Sequence, residues 1–258
     1  MAKAIIFDLD GVVYRGRHGI PGVAGAIAKL QRRTKVLFLT NNATKSRPDY
    51  VIALAKFGIF ASQDDVMTSS FGCAHYIRKK YGAGRKVFAI GERGLEDELE
   101  NEAKAKLVES GAKIVVVGLD RGINYHKLDC GLRNLQAGAA FVLANSDPTY
   151  LAEKGFSPGS GAIAAALIYA SGKEPDFVVG KPSYYLMEKL LSMHRVNPKD
   201  AIFVGDRLDI DIRMANEMGM KSVLVLTGVA KEGDVKNAQR GDRPDIVMKS
   251  AANIESVL

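Results

Sequence analysis

Two carboxylates close the first apolar run of the chain, Asp8 and Asp10 in Phe7-Asp8-Leu9-Asp10-Gly11. In a parallel α/β sheet the carboxyl ends of the strands form the ligand crevice, so acids there are placed for nucleophilic or acid-base work. Period-two geometry puts both side chains on one side if the strand continues, whereas Gly11 suits the start of a turn. Capping that turn, or a helix, is the competing use of these aspartates. Three further strand ends carry a comparable signal. Leu37-Phe38-Leu39 runs into Thr40, Asn41 and Asn42, a hydroxyl and two amides that bind phosphate oxygens or cap a helix, and a helix N-terminus can combine the two roles. Val178-Val179-Gly180 leads into Lys181-Pro182, where a compact cation serves phosphate or restrains a carboxylate, and a turn is the alternative. The Walker A pattern of glycine, lysine and hydroxyl is missing. Phe203-Val204-Gly205 is followed by Asp206, Asp209 and Asp211. Asp8, Asp10 and Asp206 make a hard-oxygen set suited to Mg²⁺, which keeps several waters and takes few protein ligands. Capping a helix that runs to Gly219 is the rival role for Asp209 or Asp211.

The elements that must present these groups are legible as short apolar runs. Ala4 to Phe7, Lys35 to Leu39, Lys86 to Ile90, Lys113 to Val117, Phe141 to Ala144, Phe177 to Val179, Ile202 to Val204 and Ser222 to Leu226 read as strands. Most lack a polar face, as parallel strands buried on both sides do. Helical segments alternate with them: Val23, Ile27 and Leu30 form a stripe behind Pro21, a residue suited to a first helical turn. Gly58, Gly111, Gly138, Gly172 and Gly219 follow helical patterns at positions that favour a left-handed residue. The alternation predicts an α/β fold, a Rossmann-like doubly wound parallel sheet with helices on both faces.

A chain of 258 residues has room for two domains or for one domain with a large insertion. Its 47% hydrophobic and 25% charged composition is that of a globular protein. No apolar run approaches the roughly 20 residues that span a bilayer, so no membrane partner is expected. The N-terminus lacks the long apolar stretch and cleavage site of a signal peptide, and Cys73 and Cys130 lie far apart without CxxC spacing. A cytoplasmic protein with two reduced thiols, no disulfide framework and no zinc site is therefore expected. The formal charge of +7 is scattered over helix faces and is not interleaved with aromatics, which argues against nucleic acid and suits small anionic molecules. Four dispersed histidines and the absence of HExxH or GxSxG make histidine and serine-hydrolase chemistry poor readings.

Taken in order, DLDG at 8 to 11, Thr40, Lys181 and GDRLDID at 205 to 211 resemble the four motifs of the haloacid dehalogenase (HAD) superfamily. DLDGVVYRG, PGV, LTNNATKS, NSDP, GSGAI and VVGKPS bring the chain closest to its NagD-like, p-nitrophenyl phosphatase branch, along essentially the whole length. The resemblance implies an Mg²⁺-dependent phosphatase in which Asp8 becomes an aspartyl phosphate and Asp10 is the acid and base. Thr40 then binds the transferring group and Lys181 holds it with Asp8. The metal falls to the Asp8 and Asp206 carboxylates and the Asp10 backbone carbonyl, with Asp211 in support. Asp10 also separates this reading from the dehalogenases, whose halide leaves without a proton. About 30 residues separate Asp10 from Thr40 and about 140 separate Thr40 from Lys181, so the insertion lies in the second interval, unlike the mutases. Residues 70–176 are then a C2-type α/β cap and residues 1–69 and 177–258 the core. Asn41, Asn42, Asn145 and Asp147 are the candidate substrate contacts, with Thr149 and Tyr150 beside them, although a turn at Pro148 explains that stretch equally well. Gly159, Ser160 and Gly161 either approach the site or start a helix, and Ile210 replaces a threonine common in the branch. The expected partner is a small phosphorylated metabolite: a sugar phosphate, glycerol phosphate, pyridoxal phosphate or nucleotide. A regulatory phosphometabolite-binding protein without turnover and a phosphotransferase to an alcohol are the rival readings. A homodimer through the caps also fits the branch.

Overall fold

An uninterrupted Ala-Ile-Ile-Phe run has no polar face to offer water. The computed structural model, which describes residues 2–152 and 155–257, buries it on both sides at the centre of a parallel sheet. From that strand, β1 (Ala4–Phe7), the chain passes through the short pair β2 (Tyr14–Arg15) and β3 (His18–Gly19), α1 (Val23–Leu30), β4 (Lys35–Thr40), α2 (Arg47–Ala55) and β5 (Val66–Thr68). It then enters α3 (Ser69–Tyr81), β6 (Lys86–Ile90), α4 (Arg93–Asn101), β7 (Lys106–Leu107), β8 (Ile114–Val117), α5 (Tyr125–Gln136) and β9 (Ala140–Leu143). The antiparallel strands β10 (Thr149–Ala152) and β11 (Gly155–Pro158), α6 (Ser160–Ser171) and β12 (Phe177–Val178) follow. The chain returns through α7 (Tyr185–His194), β13 (Ala201–Gly205), α8 (Arg213–Glu217), β14 (Lys221–Val225), α9 (Glu232–Lys236) and β15 (Ile246–Met248).

The first sheet has the order β15-β14-β13-β1-β4-β5, with every neighbour parallel. The chain builds outward from β1 on one side and then on the other, so the carboxyl ends of β1 and β13 flank the topological switch point. The second sheet, β12-β9-β8-β6-β7, is also parallel. Its strand β12 corrects the expected boundary: Phe177 and Val178 pair with Val142 and Leu143, so the inserted layer runs two residues past 176. An apolar run announces a buried strand but is silent about which of two parallel sheets it joins.

Alternation divides β1 between two apolar layers. Ile5 and Phe7 pack with Val23, Ile27 and Leu30 of α1 and with Tyr50 and Leu54 of α2. Ile6 lies on the opposite face, in a cluster that continues through Phe71, Ala74 and Ile77 of α3 and Leu186 and Leu190 of α7 to Val87, Val116 and Val142 of the second sheet. The two sheets therefore share one apolar layer, and α3 can approach α7 closely because Gly72 has no side chain. A Cβ there would stand 2.2 Å from Leu186 Cδ2. Gly22, with φ 81, precedes α1, so Pro21 lies outside the helix it was expected to open. Gly111 is left-handed as expected, but in the turn between β7 and β8 and not after a helix. Among the described residues, no helix is long and apolar enough to cross a membrane.

Candidate active site

The ladder between β1 and β13 runs one residue beyond β1, because the Asp8 N–H donates to the Val204 carbonyl at 2.8 Å. This fixes the Asp8 backbone at the sheet edge, and Gly11, with φ 83, turns the chain away immediately after Asp10. Beyond β13 the chain makes a wide turn, Leu208–Ile212, in which the N–H groups of Asp211 and Ile212 both reach the Arg207 carbonyl. That turn folds Asp211 back under Asp206, where Asp211 Oδ2 accepts the N–H groups of Asp206 and Arg207 at 3.1 Å each. Asp211 is thus the residue that satisfies backbone donors at this terminus, while Asp209 pairs with Arg207 at the surface. Lys181, only 3% exposed, donates to Asp8 Oδ1 and Asp211 Oδ1 at 2.8 Å each. Asp8 beyond β1 and Asp211 beyond β13 are thereby tied to one ammonium.

All the expected site residues line one pocket of ≈ 320 Å³: Asp8, Asp10, Thr40, Asn41, Asn42, Asn145, Asp147, Lys181, Asp206 and Asp211. Two of the expected substrate contacts have other work. Asn41 accepts from the Lys181 N–H at 2.7 Å, and its amide donates to the Lys181 carbonyl and to Asp147 Oδ2, each at 3.0 Å. Asn145 donates to the Asn41 carbonyl at 2.7 Å and accepts from the Asp147 N–H at 3.2 Å. Their side-chain groups are occupied in aligning Lys181 and in joining the loop after β4 to the loop after β9. Asn42 Oδ1 accepts from the N–H and hydroxyl of Thr44, which leaves its amide on the Asp10 side. Asp147 completes the connection through Arg207, whose Nη1 lies 3.1 Å from Asp147 Oδ1. Gly159 and Gly161 serve both of the roles open to them. They begin α6 and let its first turn press on residues 146–148, where added Cβ atoms would stand 2.3 Å and 2.4 Å from the Asp147 and Ser146 carbonyl oxygens.

Burial is the dominant influence on the carboxylates. It pushes Asp8 up to about 7, with Asp211 and Asp10 adding to the rise and Lys181 opposing it. Asp10 and Asp206 are also raised mainly by burial. Lys45, Asn42 and Lys181 moderate Asp10, while Asp211 and Asp8 push Asp206 further up. Burial disfavours the Lys181 charge too, but Asp211 and Asp8 outweigh it and hold the ammonium above its usual range. Five aspartates against Lys181 and Arg207 leave the pocket rich in carboxylates. Oxygens of Asp8, Asp206 and Asp211 lie within 4.8 Å of one another, an all-oxygen donor set of the kind Mg²⁺ takes. Asp211 already spends both oxygens on protein donors, and Asn42 and Lys45 favour the ionised form of Asp10. Asp8 and Asp206 are therefore the carboxylates fitted to hold a cation, and the Asp10 side chain lies outside the cluster.

Five contributors were not singled out from the sequence. Arg207 sits inside the GDRLDID stretch, where the aspartates draw attention. Gly228 follows another apolar run, Ser222 to Leu226, and has no side chain to signal a role. A Cβ on it would fall 1.8 Å from Asp206 Oδ2, and the neighbouring Val229 N–H donates to the same oxygen at 2.8 Å. Leu119, Leu151 and Phe156 supply apolar walls from the inserted layer.

Comparison with known proteins gives this geometry a family. Residues 5–103 match the haloacid dehalogenase-like hydrolases and residues 178–254 the HAD-hydrolase-like family. The 4-nitrophenylphosphatase of Schizosaccharomyces pombe is 35% identical over 96% of this chain and 92% of its own length. The chain belongs to the haloacid dehalogenase-like hydrolases. A solved p-nitrophenyl phosphatase from Archaeoglobus fulgidus superposes on this HAD protein with a TM-score of 0.92, at 33% identity, over 100% of this chain and 99% of that one. A glycerol phosphate phosphatase from Mycobacterium tuberculosis, solved in complex with magnesium, gives a TM-score of 0.88 at 34% identity over 97% and 75% of the two chains. The HAD chain is a phosphatase, of the p-nitrophenyl phosphatase branch.

Proposed function

We propose that this phosphatase hydrolyses small phosphomonoesters in two steps through an aspartyl phosphate on Asp8, with Mg²⁺ as cofactor. The observation that carries the reading is the joint approach of Asp8, Lys181 and Asp206 at the floor of one pocket, with Asp10 and Thr40 on its walls. An Asp8 oxygen attacks phosphorus, and the bond to the leaving oxygen breaks as Asp10 delivers a proton to it. Asp10 then takes a proton from the water that attacks the phosphorus of the aspartyl phosphate, which releases inorganic phosphate and restores Asp8. Thr40 Oγ1 accepts the Asn42 N–H at 3.1 Å, so its own proton is left to bind a phosphoryl oxygen. Lys181 holds the nucleophile in place and balances charge on the transferring group, a reaction whose catalysis is mainly positioning and electrostatics. The Asp8 and Asp206 carboxylates and the Asp10 backbone carbonyl would hold Mg²⁺, which would supply Lewis-acid neutralisation of the phosphoryl oxygens. Asp211 orients Lys181 and the Asp206 backbone.

Pocket size limits the substrate. A volume of ≈ 320 Å³ corresponds to about ten waters, enough for a phosphoryl group and a short leaving group. The inserted layer, residues 70–176 with β12, acts as a cover that excludes water and lines the leaving-group end with Leu119, Tyr150, Leu151 and Phe156. Glycerol phosphate and simple sugar phosphates are substrates of suitable size, in line with the names of the relatives. Phosphate release from 4-nitrophenyl phosphate, with Mg²⁺ and with EDTA, in wild type and Asp8→Asn, tests the proposal. Activity that depends on Mg²⁺ and falls at least about 10³-fold in the variant supports it. Metal-independent turnover, or a variant as active as wild type, refutes it.

A further inference from the structure

Outside the pocket, one cluster among the described residues unites three different metal-binding groups. His126 and Cys130 stand one turn apart on α5, at the i, i+4 spacing that places side chains on one face. Glu109 reaches them from the segment between β7 and β8. His126 Nε2 lies 3.5 Å from Glu109 Oε1 and 3.6 Å from Cys130 Sγ, and the three donor atoms all fall within 4.8 Å of one another. A tetrahedral zinc ion with ordinary bond lengths has ligand edges of about 3.3 Å between N and O and about 3.5 Å between N and S. The two separations from His126 Nε2 come close to those edges before any ion is added.

A second observation concerns the scaffold. Asn134, 3% exposed, donates through one amide to the backbone carbonyls of Glu109 and Cys130 at 2.8 Å each, and its Oδ1 accepts the Ala112 N–H at 2.9 Å. The two backbone positions that must stay in register for a shared ligand are thus pinned by the same buried side chain, which limits the ordering cost of binding. The phosphatase chemistry uses none of these residues, and none of them lines its pocket.

We propose that Glu109, His126 and Cys130 form a second metal site that takes Zn²⁺ or a similar borderline-soft divalent cation, with solvent in the fourth position. A thiolate, an imidazole and one carboxylate select that class over Mg²⁺, which requires oxygen donors. The charges balance, since thiolate and carboxylate offset the dication and imidazole is neutral. Burial and the Glu109 and Asp129 carboxylates push the Cys130 thiol up from its ordinary pKa. Binding therefore forms the S–metal bond as the thiol proton passes to solvent. The bound ion bridges α5 to the turn before β8 and fastens the outer edge of the inserted layer.

The test is titration of the metal-free protein with Co²⁺ in excess Mg²⁺, read by absorption. One equivalent should produce tetrahedral ligand-field bands and a thiolate-to-cobalt charge-transfer band, both removed by stoichiometric Zn²⁺. Cys130→Ser should abolish the charge-transfer band, Glu109→Gln should weaken Co²⁺ binding at least about tenfold, and Asp206→Asn should leave the band intact. In wild type, Zn²⁺ should protect Cys130 from alkylation by iodoacetamide, read by peptide mass, which needs no variant to fold. No charge-transfer band at saturating Co²⁺, a band that survives Cys130→Ser, or alkylation of Cys130 at the same rate with Zn²⁺ overturns the proposal.

Discussion

Gly228→Ala probes the proposed metal pocket without altering any charged group. The new Cβ would lie 1.8 Å from Asp206 Oδ2, 2.4 Å from its Cγ and 2.5 Å from its Cβ. Carbon and oxygen atoms in contact stand roughly 3.3 Å apart, so Oδ2 or the 227–229 backbone must retreat by about 1.5 Å. Rotation of the carboxylate alone cannot relieve contacts that extend back to Asp206 Cβ, and the Val229 N–H that holds Oδ2 moves with the same segment. Misplacement of a catalytic group by about 1 Å costs on the order of 10²-fold in rate, about 2.7 kcal/mol of transition-state stabilisation. Overpacking adds a stability loss of about 1–3 kcal/mol. The assay is kcat/KM for 4-nitrophenyl phosphate across a Mg²⁺ series, with thermal unfolding as a check on folding. Gly233→Ala, where nothing lies within 4 Å of the added carbon, is the control and should match wild type. If Gly228→Ala keeps kcat/KM within about threefold of wild type, with an unchanged Mg²⁺ requirement, the assigned role of the Asp206 carboxylate is wrong.

Three further outcomes follow from the same geometry. Lys181→Met leaves Asp8 and Asp211 facing each other without a cation; it should cost about 3–5 kcal/mol in urea unfolding without Mg²⁺ and at least about 10³-fold in kcat, and a stability equal to wild type would contradict the charge account. Glu98 is buried, accepts the Arg47 N–H at 2.8 Å, and has its pKa raised from 4.5 mainly by burial, with Arg47 opposing. Because the folded state then binds the proton more tightly than the unfolded state, its contribution is complete below pH 4.5 and is lost as pH rises through the elevated folded value. Glu98→Gln should accordingly gain thermal stability relative to wild type as pH rises from 4.5, whereas parallel melting curves would exclude this linkage. Asp147→Ala frees Arg207 and Asn41 from their shared partner, and should change the ratio of kcat/KM between glycerol phosphate and 4-nitrophenyl phosphate at least about fivefold; equal losses on both esters would remove Asp147 from specificity.

The strand ends bearing Asp8, Thr40 and Asp206 were readable because a run buried on both faces has to be continuously apolar, and polar residues that end it abruptly are conspicuous. The sequence order of Asp8, Thr40, Lys181 and Asp206 carried the family resemblance for the same reason. Phe177-Val178 was readable as a strand but not as a member of the second sheet, since hydrophobicity names no pairing partner. Val66–Thr68 and Ile246–Met248 are three-residue strands, too short for a period to emerge. Asn41 and Asn145 show a different limit. An amide at a strand end donates and accepts wherever tertiary structure brings a partner, and here the partners are the Lys181 backbone and each other's loops. Gly228 was hidden because its contribution is the space it leaves for Asp206.

The covalent role of Asp8 is tested most directly by quenching wild type in the pre-steady state with radiolabelled substrate, reducing the denatured protein with borohydride and mapping the peptides. The account predicts an acid-stable, hydroxylamine-labile phosphoenzyme and homoserine at position 8, both absent from Asp8→Asn. Burst turnover with no phosphoenzyme, or homoserine at another aspartate, would contradict it.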